Sequence, residues 1–172
     1  MTLVLALLGS LMWGIADFLG GLISKTYKVA YVLVISQSFG LLTMALYFVI
    51  SQEQWDWRAA TMASLASLSG FFGMMSFYKA LATGTMGIVS PIASLGAIVP
   101  VAVGLASGEQ PSGMQFLGIL FALLGVALAS GPELSGASAA KPVILAVMAA
   151  IGFGTCFIFL KNGGQYSCLL YT

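Results

Sequence analysis

Asp17 is the only charged residue between Thr2 and Ile23, in a run otherwise suited to hydrocarbon. An isolated carboxylate in such a medium costs several kcal/mol or takes up a proton. Asp17 is therefore a candidate proton-coupling or cation-binding group. The plainer alternative is a structural ion pair with Lys79 or Lys25 near one membrane interface. On a helical wheel Ser10, Gly14, Asp17 and Gly21 share one narrow face, Trp13 flanks it, and Leu8, Leu11, Ile15 and Leu22 lie opposite. The expectation is that the leucines meet lipid while Asp17 faces other helices or a cavity.

A second cluster of candidates lies in "MGIVSPIASLGAIVPVAVGLAS". Pro91 cannot donate to the Gly87 carbonyl, nor Pro100 to that of Gly96. In a bilayer such broken backbone belongs against protein or a water-filled cavity. Ser90 and Ser94 stand ready to satisfy the freed groups, to touch a ligand, or to make ordinary serine back-bonds. Gln37, Tyr78 and Lys79 are further lining candidates; otherwise Gln37 is interhelical glue and the other two are interfacial anchors. Small residues form stripes at Ala59, Ala63, Ala66, Gly70 and Gly73, and at Gly118, Ala122, Gly125 and Ala129. These are expected to be packing seams.

Other chemistries find little support. The chain has no histidine, so a Ser–His site is impossible. With Asp17 the only carboxylate well inside a span, an aspartyl dyad has no second member. Cys156 and Cys168 form no CxxC-type pair, so neither a redox motif nor a metal site is indicated. A net charge of +1 gives nucleic-acid binding no electrostatic support. No cofactor motif is present.

The elements that must position these residues follow from composition. Of 172 residues, 60% are hydrophobic and 6% charged, with a mean hydropathy of +1.05. Soluble domains carry about a quarter charged residues. The fold class is all-α and polytopic in a membrane. Six windows are long and apolar enough to span: 2–23, 30–50, 59–80, 84–107, 112–131 and 142–160. The first lacks a basic leader and is followed by more spans, so it reads as retained rather than as a signal peptide. Charges gather in short connections, and Tyr27, Tyr31, Trp55 and Trp57 sit near predicted ends, where amphipathic rings favour the headgroup layer. The brevity of "LATGT" makes the third and fourth spans antiparallel neighbours. The positive-inside count mildly favours an outside N-terminus.

"LVLALLGSLMWGIADFL" (3–19) aligns with "PVILAVMAAIGFGTCFIFL" (142–160) at an offset of 140 residues, placing Trp13 on Phe153 and Gly14 on Gly154. If the match is an internal repeat, the odd number of spans in the first copy inverts the second, the plan of many secondary transporters.

Residues 76–130 carry a further signal: Tyr78-Lys79-Ala80-Leu81, Ser90-Pro91, Pro100, Gly108-Glu109, then Gln115, Gly118, Gly125 and Val126, with Trp13-Gly14 upstream. This pattern resembles the EamA-type repeat of the drug/metabolite transporter superfamily. The resemblance implies a first five-helix repeat over 1–131, a loop over 132–141, and the opening helix of an incomplete, inverted second repeat over 142–172. It further implies a multi-pass protein of the bacterial inner membrane with a cytosolic N-terminus and ten helices when complete, four more than here. The implied activity is secondary export of a small molecule through a central cavity, with Trp13, Asp17, Tyr78, Ser90 and Ser94 facing it. The missing half is expected from a second copy of the chain or from further sequence, with the lipid bilayer as the surrounding partner. A Gln110 stands where the family has an arginine after the glutamate. The competing class is a non-transporting assembly subunit, which would need no inward-facing polar groups.

Overall fold

The computed structural model describes residues 2–51, 56–130 and 140–164. Trp55, Cys168 and most of the predicted 132–141 loop lie outside them. Among the described residues the regular structure is helical: α1 (Thr2–Ser24), α2 (Val29–Ser51), α3 (Trp57–Thr83), α4 (Met86–Ser94), α5 (Ile98–Ala106), α6 (Gly113–Ser130) and α7 (Ala140–Gly164). Five stretches are long and apolar enough to cross a bilayer, with α4 and α5 together making one of them; α6 is a shorter apolar helix. The expected all-α polytopic class with about six crossings is what the chain adopts.

Polar residues at the ends set where helices start and stop. Before α3, Asp56 has extended backbone and its side chain accepts from Arg58 N at 2.7 Å and Ala59 N at 3.0 Å. Those are two of the amides that a helix start leaves unpaired. Before α6, Ser112 and Gln115 bond reciprocally: Ser112 N donates to Gln115 Oε1 at 2.8 Å and Gln115 N to Ser112 Oγ at 3.4 Å, a capping box. After α5, Glu109 N donates to Gly104 O at 2.9 Å and Gly108 N to Leu105 O at 3.0 Å. This closure requires a left-handed residue, and Gly108 supplies it with φ of 87°.

The fourth span, expected over 84–107 with its backbone broken by prolines, is irregular. It is two nine-residue helices joined by a 3-10 turn at Leu95–Ala97, one helical turn before Pro100. Gly96 lies at the turn, and a Cβ there would stand 2.6 Å from the Ala150 carbonyl oxygen. The Gly96 carbonyl, to which Pro100 cannot donate, stands 2.6 Å from where a Cβ on Gly154 would be, so it faces α7 at close range.

Helix α7 is the element around which the rest assembles. Its most extensive neighbour is α3. Gly84 meets Pro142, Gly73 meets Phe153 and Gly70 meets Cys156, so the two helices run antiparallel in contact over most of their length. At their crossing a Cβ on Gly152 would lie 2.7 Å from Gly73 Cα and 2.8 Å from Gly73 N. Only glycine on both sides lets the backbones approach so closely. The Phe77 and Phe153 rings then pack edge to face with centroids 5.9 Å apart. The predicted stripe on α3 is thus a seam, with Ala59, Ala66 and Gly73 buried.

The buried cluster lies toward one end of the bundle, where Leu33, Phe77, Leu81, Val89, Ala93 and Ala146 come together. The α1–α2 hairpin joins it only through its turn end. Gly20, Gly21 and Ser24 of α1 are buried, as is Leu33 of α2 at 1% exposure, whereas most of both helices beyond these points is exposed. The hairpin leans on the bundle by its tip.

Candidate functional site

Asp17 sits where α1 diverges from α3. It is half-buried, and its partner is the Trp13 side chain one helical turn earlier. On the other side Tyr78 of α3 is buried at 6% exposure, packs its hydroxyl against Gly20 and lies close enough to feel the Asp17 charge. Gly20 makes this approach feasible, because any side chain there would occupy the position of the Tyr78 ring. One residue on, Gly21 accommodates Leu81 in the same way. Trp13, at 64% exposure, closes the other flank of the carboxylate while remaining open to the surroundings.

The result is a carboxylate flanked by an indole and a phenol, at the fork between a packed and an unpacked stretch of α1. Such a group can take up and release a proton or hold a small cation. The structural alternative, an ion pair to Lys25 or Lys79, is not formed: among the described residues the ion pair found joins Lys161 to Glu109. The face shared by Ser10, Gly14, Asp17 and Gly21 divides along its length, with Gly21 buried and Ser10 and Gly14 exposed.

The remaining candidates do not join this cluster. Gln37 and Lys79 are exposed. Ser94 Oγ donates to the Pro91 carbonyl at 2.6 Å, a back-bond three residues up its own helix. Ser90 Oγ is buried with no hydrogen-bond partner, beside Pro91. It satisfies neither freed carbonyl. Ser24 Oγ, at the buried end of α1, is likewise unpartnered. A groove of about 660 Å³ lies elsewhere, between α5 and α6, lined by Val101, Leu105, Glu109, Gln110 and Gly118 among others. None of the residues singled out for chemistry lines it.

Two features escaped the sequence reading. One is the glycine contact of α7 with both α3 and the broken span. The other is the Lys161–Glu109 pair, which ties the end of α7 to the loop after α5. Topology held a signal for the pair: in alternating spans, position 109 and position 161 fall on the same side of the bilayer.

A model of the EamA-like transporter family matches residues 1–131. No curated protein and no solved structure matches the chain. The family match covers α1 to α6, which hold Trp13, Asp17, Tyr78 and the proline-broken span. The chain belongs to the EamA-like transporter family, whose members are membrane transporters.

Proposed function

We propose that this protein is a secondary active transporter of a small metabolite or drug-like molecule, working as an exporter driven by a proton or sodium gradient. The observation that carries this reading is the Asp17 site: a half-buried carboxylate beside Trp13 and Tyr78, free of lysine partners, on a span otherwise without charge. Coupling requires a group whose occupancy by a cation can change during the cycle, and a permanently paired carboxylate would not serve. Residues 1–131 act as one repeat and 142 onward as the start of its inverted counterpart, in a bacterial inner membrane with the N-terminus inside. The uncovered stretch of α1 and α2 is where helices of a second half, from further sequence or a second copy, complete the cavity.

The test is flux in sealed vesicles under an imposed proton or sodium gradient, using a panel of metabolites. Asp17→Asn is expected to abolish gradient-driven flux while leaving the protein inserted, and Asp17→Glu to retain some of it. Flux in Asp17→Asn with an unaltered pH dependence would return Asp17 to a structural role.

A further inference from the structure

We infer that Tyr78 is a positioning residue for Asp17 and that Gly20 is the residue that admits it: the phenol hydroxyl is the donor by which α3 holds the carboxylate in its charged form. The inference rests on the transport reading above and deepens it, by naming the group that sets when Asp17 takes up its cation.

A Cβ on Gly20 would lie within 2.8 Å of Tyr78 Cε2 and nearer still to its Cζ and hydroxyl. The polar end of the ring, not its edge, therefore rests on α1. Its hydroxyl stands close to where a side chain of residue 20 would begin. Residues three apart on a helix carry their Cβ atoms about 5–6 Å from one another, so the hydroxyl lies about that far from the Cβ of Asp17. A carboxylate that extends toward such a neighbour closes the gap to a hydrogen bond by a change of rotamer. Tyr78 is held in place for this, at 6% exposure and with the Phe77 ring centroid 6.0 Å from its own.

In this structure the carboxylate bonds to the Trp13 side chain, one turn earlier on the same helix. Trp13 and Tyr78 thus stand on either side of it, and an ionised carboxylate has two oxygens that accept. The indole engages one from α1, and the phenol is placed to donate to the other from α3. A hydrogen bond to an ionised acceptor is about twice as strong as one between neutral groups, so the Tyr78 contact favours the charged form. The other titratable or charged groups on the α1–α2 turn and the two helices packed against α1 are Lys25, Lys28, Tyr31, Tyr47, Arg58 and Lys79. Among the described residues none of these lysines forms an ion pair with Asp17. Tyr31 and Tyr47 are exposed, and Arg58 lies at the opposite end of α3. Helix α4, whose Met86 reaches the same end of α1, carries no charge. Tyr78 lies within reach of the Asp17 charge. One residue beyond Gly20, Leu81 fills the place of a Gly21 side chain. The same stretch of packing therefore pairs a contact that can act on a carboxylate with one that cannot.

Modification of Asp17 by dicyclohexylcarbodiimide tests this, on the full chain in membrane vesicles. The reagent adds to a protonated carboxyl group and spares an ionised one. The extent of modification against pH, quantified by mass on the peptide carrying Asp17, reports when the group holds a proton. Tyr78→Phe keeps the ring and deletes the hydroxyl, and is expected to move the profile to higher pH by about one unit. Gly20→Ala pushes the ring away with its hydroxyl intact. It is expected to move the profile the same way, and the double variant no further than Tyr78→Phe alone. Gly21→Ala disturbs the Leu81 contact instead and is expected to leave the profile in place. An unmoved profile in Tyr78→Phe overturns the proposal, as does an equal movement in Gly21→Ala, which would mean a general loosening of α1 against α3. A carboxyl left unmodified at every pH in the unaltered chain overturns it too. If Tyr78→Phe does not accumulate in the membrane, Gly20→Ala against Gly21→Ala is read the same way. The profile needs neither substrate nor gradient. Absence of gradient-driven flux in the unaltered chain therefore sinks the transport reading and leaves the result on Tyr78 standing.

Discussion

Two stripes of small residues run along this molecule, and they meet opposite fates. On α3, Ala59, Ala66 and Gly73 are buried, and a Cβ at Gly73 would come within 3.1 Å of the Phe153 backbone nitrogen on α7. On α6, a Cβ at Gly118 or Gly125 would meet nothing within 4 Å. The same periodic signal therefore marks a filled seam in one place and an open face in the other. Small residues permit close approach but do not supply the helix that approaches. What separates the two is the partner: α7 sets Gly152 against Gly73 of α3, while α6 packs mainly against α4 and leaves Gly118 and Gly125 clear.

The strongest way to break this contrast is to add bulk to each stripe. Gly152→Leu drives a side chain into the Gly73 backbone, where overpacking costs about 1–3 kcal/mol or more. Its expected outcome is loss of the monodisperse, detergent-extracted protein on size-exclusion chromatography. Gly118→Leu is expected to leave the elution profile and thermal stability unchanged within about 0.5 kcal/mol, as for exposed sites generally. Equal damage from both substitutions would mean that α6 is covered too.

Smaller effects sharpen the picture at helix ends and in the broken span. Asp56→Ala removes the acceptor for two amides at the start of the seam-forming α3 and is expected to lower stability by about 1 kcal/mol, measured by denaturant titration in micelles. Ser90→Ala deletes a buried hydroxyl that has no partner, so it is expected to be neutral or slightly stabilising; a loss of flux at unchanged stability would identify Ser90 as a substrate contact. The smallest effect is expected at Lys161→Gln. Its pair with Glu109 is exposed, and such pairs contribute about 0.2–1 kcal/mol. The loss should shrink as salt is raised.

The sequence made the crossings legible because hydropathy alone decides what a bilayer accepts. It also marked Trp13 and Asp17, whose spacing of four places them one turn apart on any helix. Tyr78 could be named as a candidate but not placed beside Asp17, because that meeting depends on Gly20 letting a ring from another span approach. The prolines announced an irregular fourth span without locating its break. The turn falls at Gly96, the residue whose carbonyl Pro100 leaves without its helical donor, and not at Gly87, the corresponding residue for Pro91; α7 packs against that turn. Likewise Ser90 and Ser94 looked equivalent as neighbours of Pro91, and only the packing distinguishes the buried hydroxyl from the back-bonded one. Each missing piece is a contact between residues far apart in the chain, which periodicity does not encode.

The glycine crossing also orders the birth of the protein. Ribosomes deliver α3 and the α4–α5 span before α7, so for a time the nascent chain carries Gly73 and the Gly96 carbonyl with no helix over them. The Gly96 carbonyl accepts from Ile98 N–H within the turn, so what α7 brings is close packing over the small residues. The glycine contacts on both neighbours of α7 can therefore close only after α7 has been made, so the packing of the earlier spans is completed by the helix that follows them.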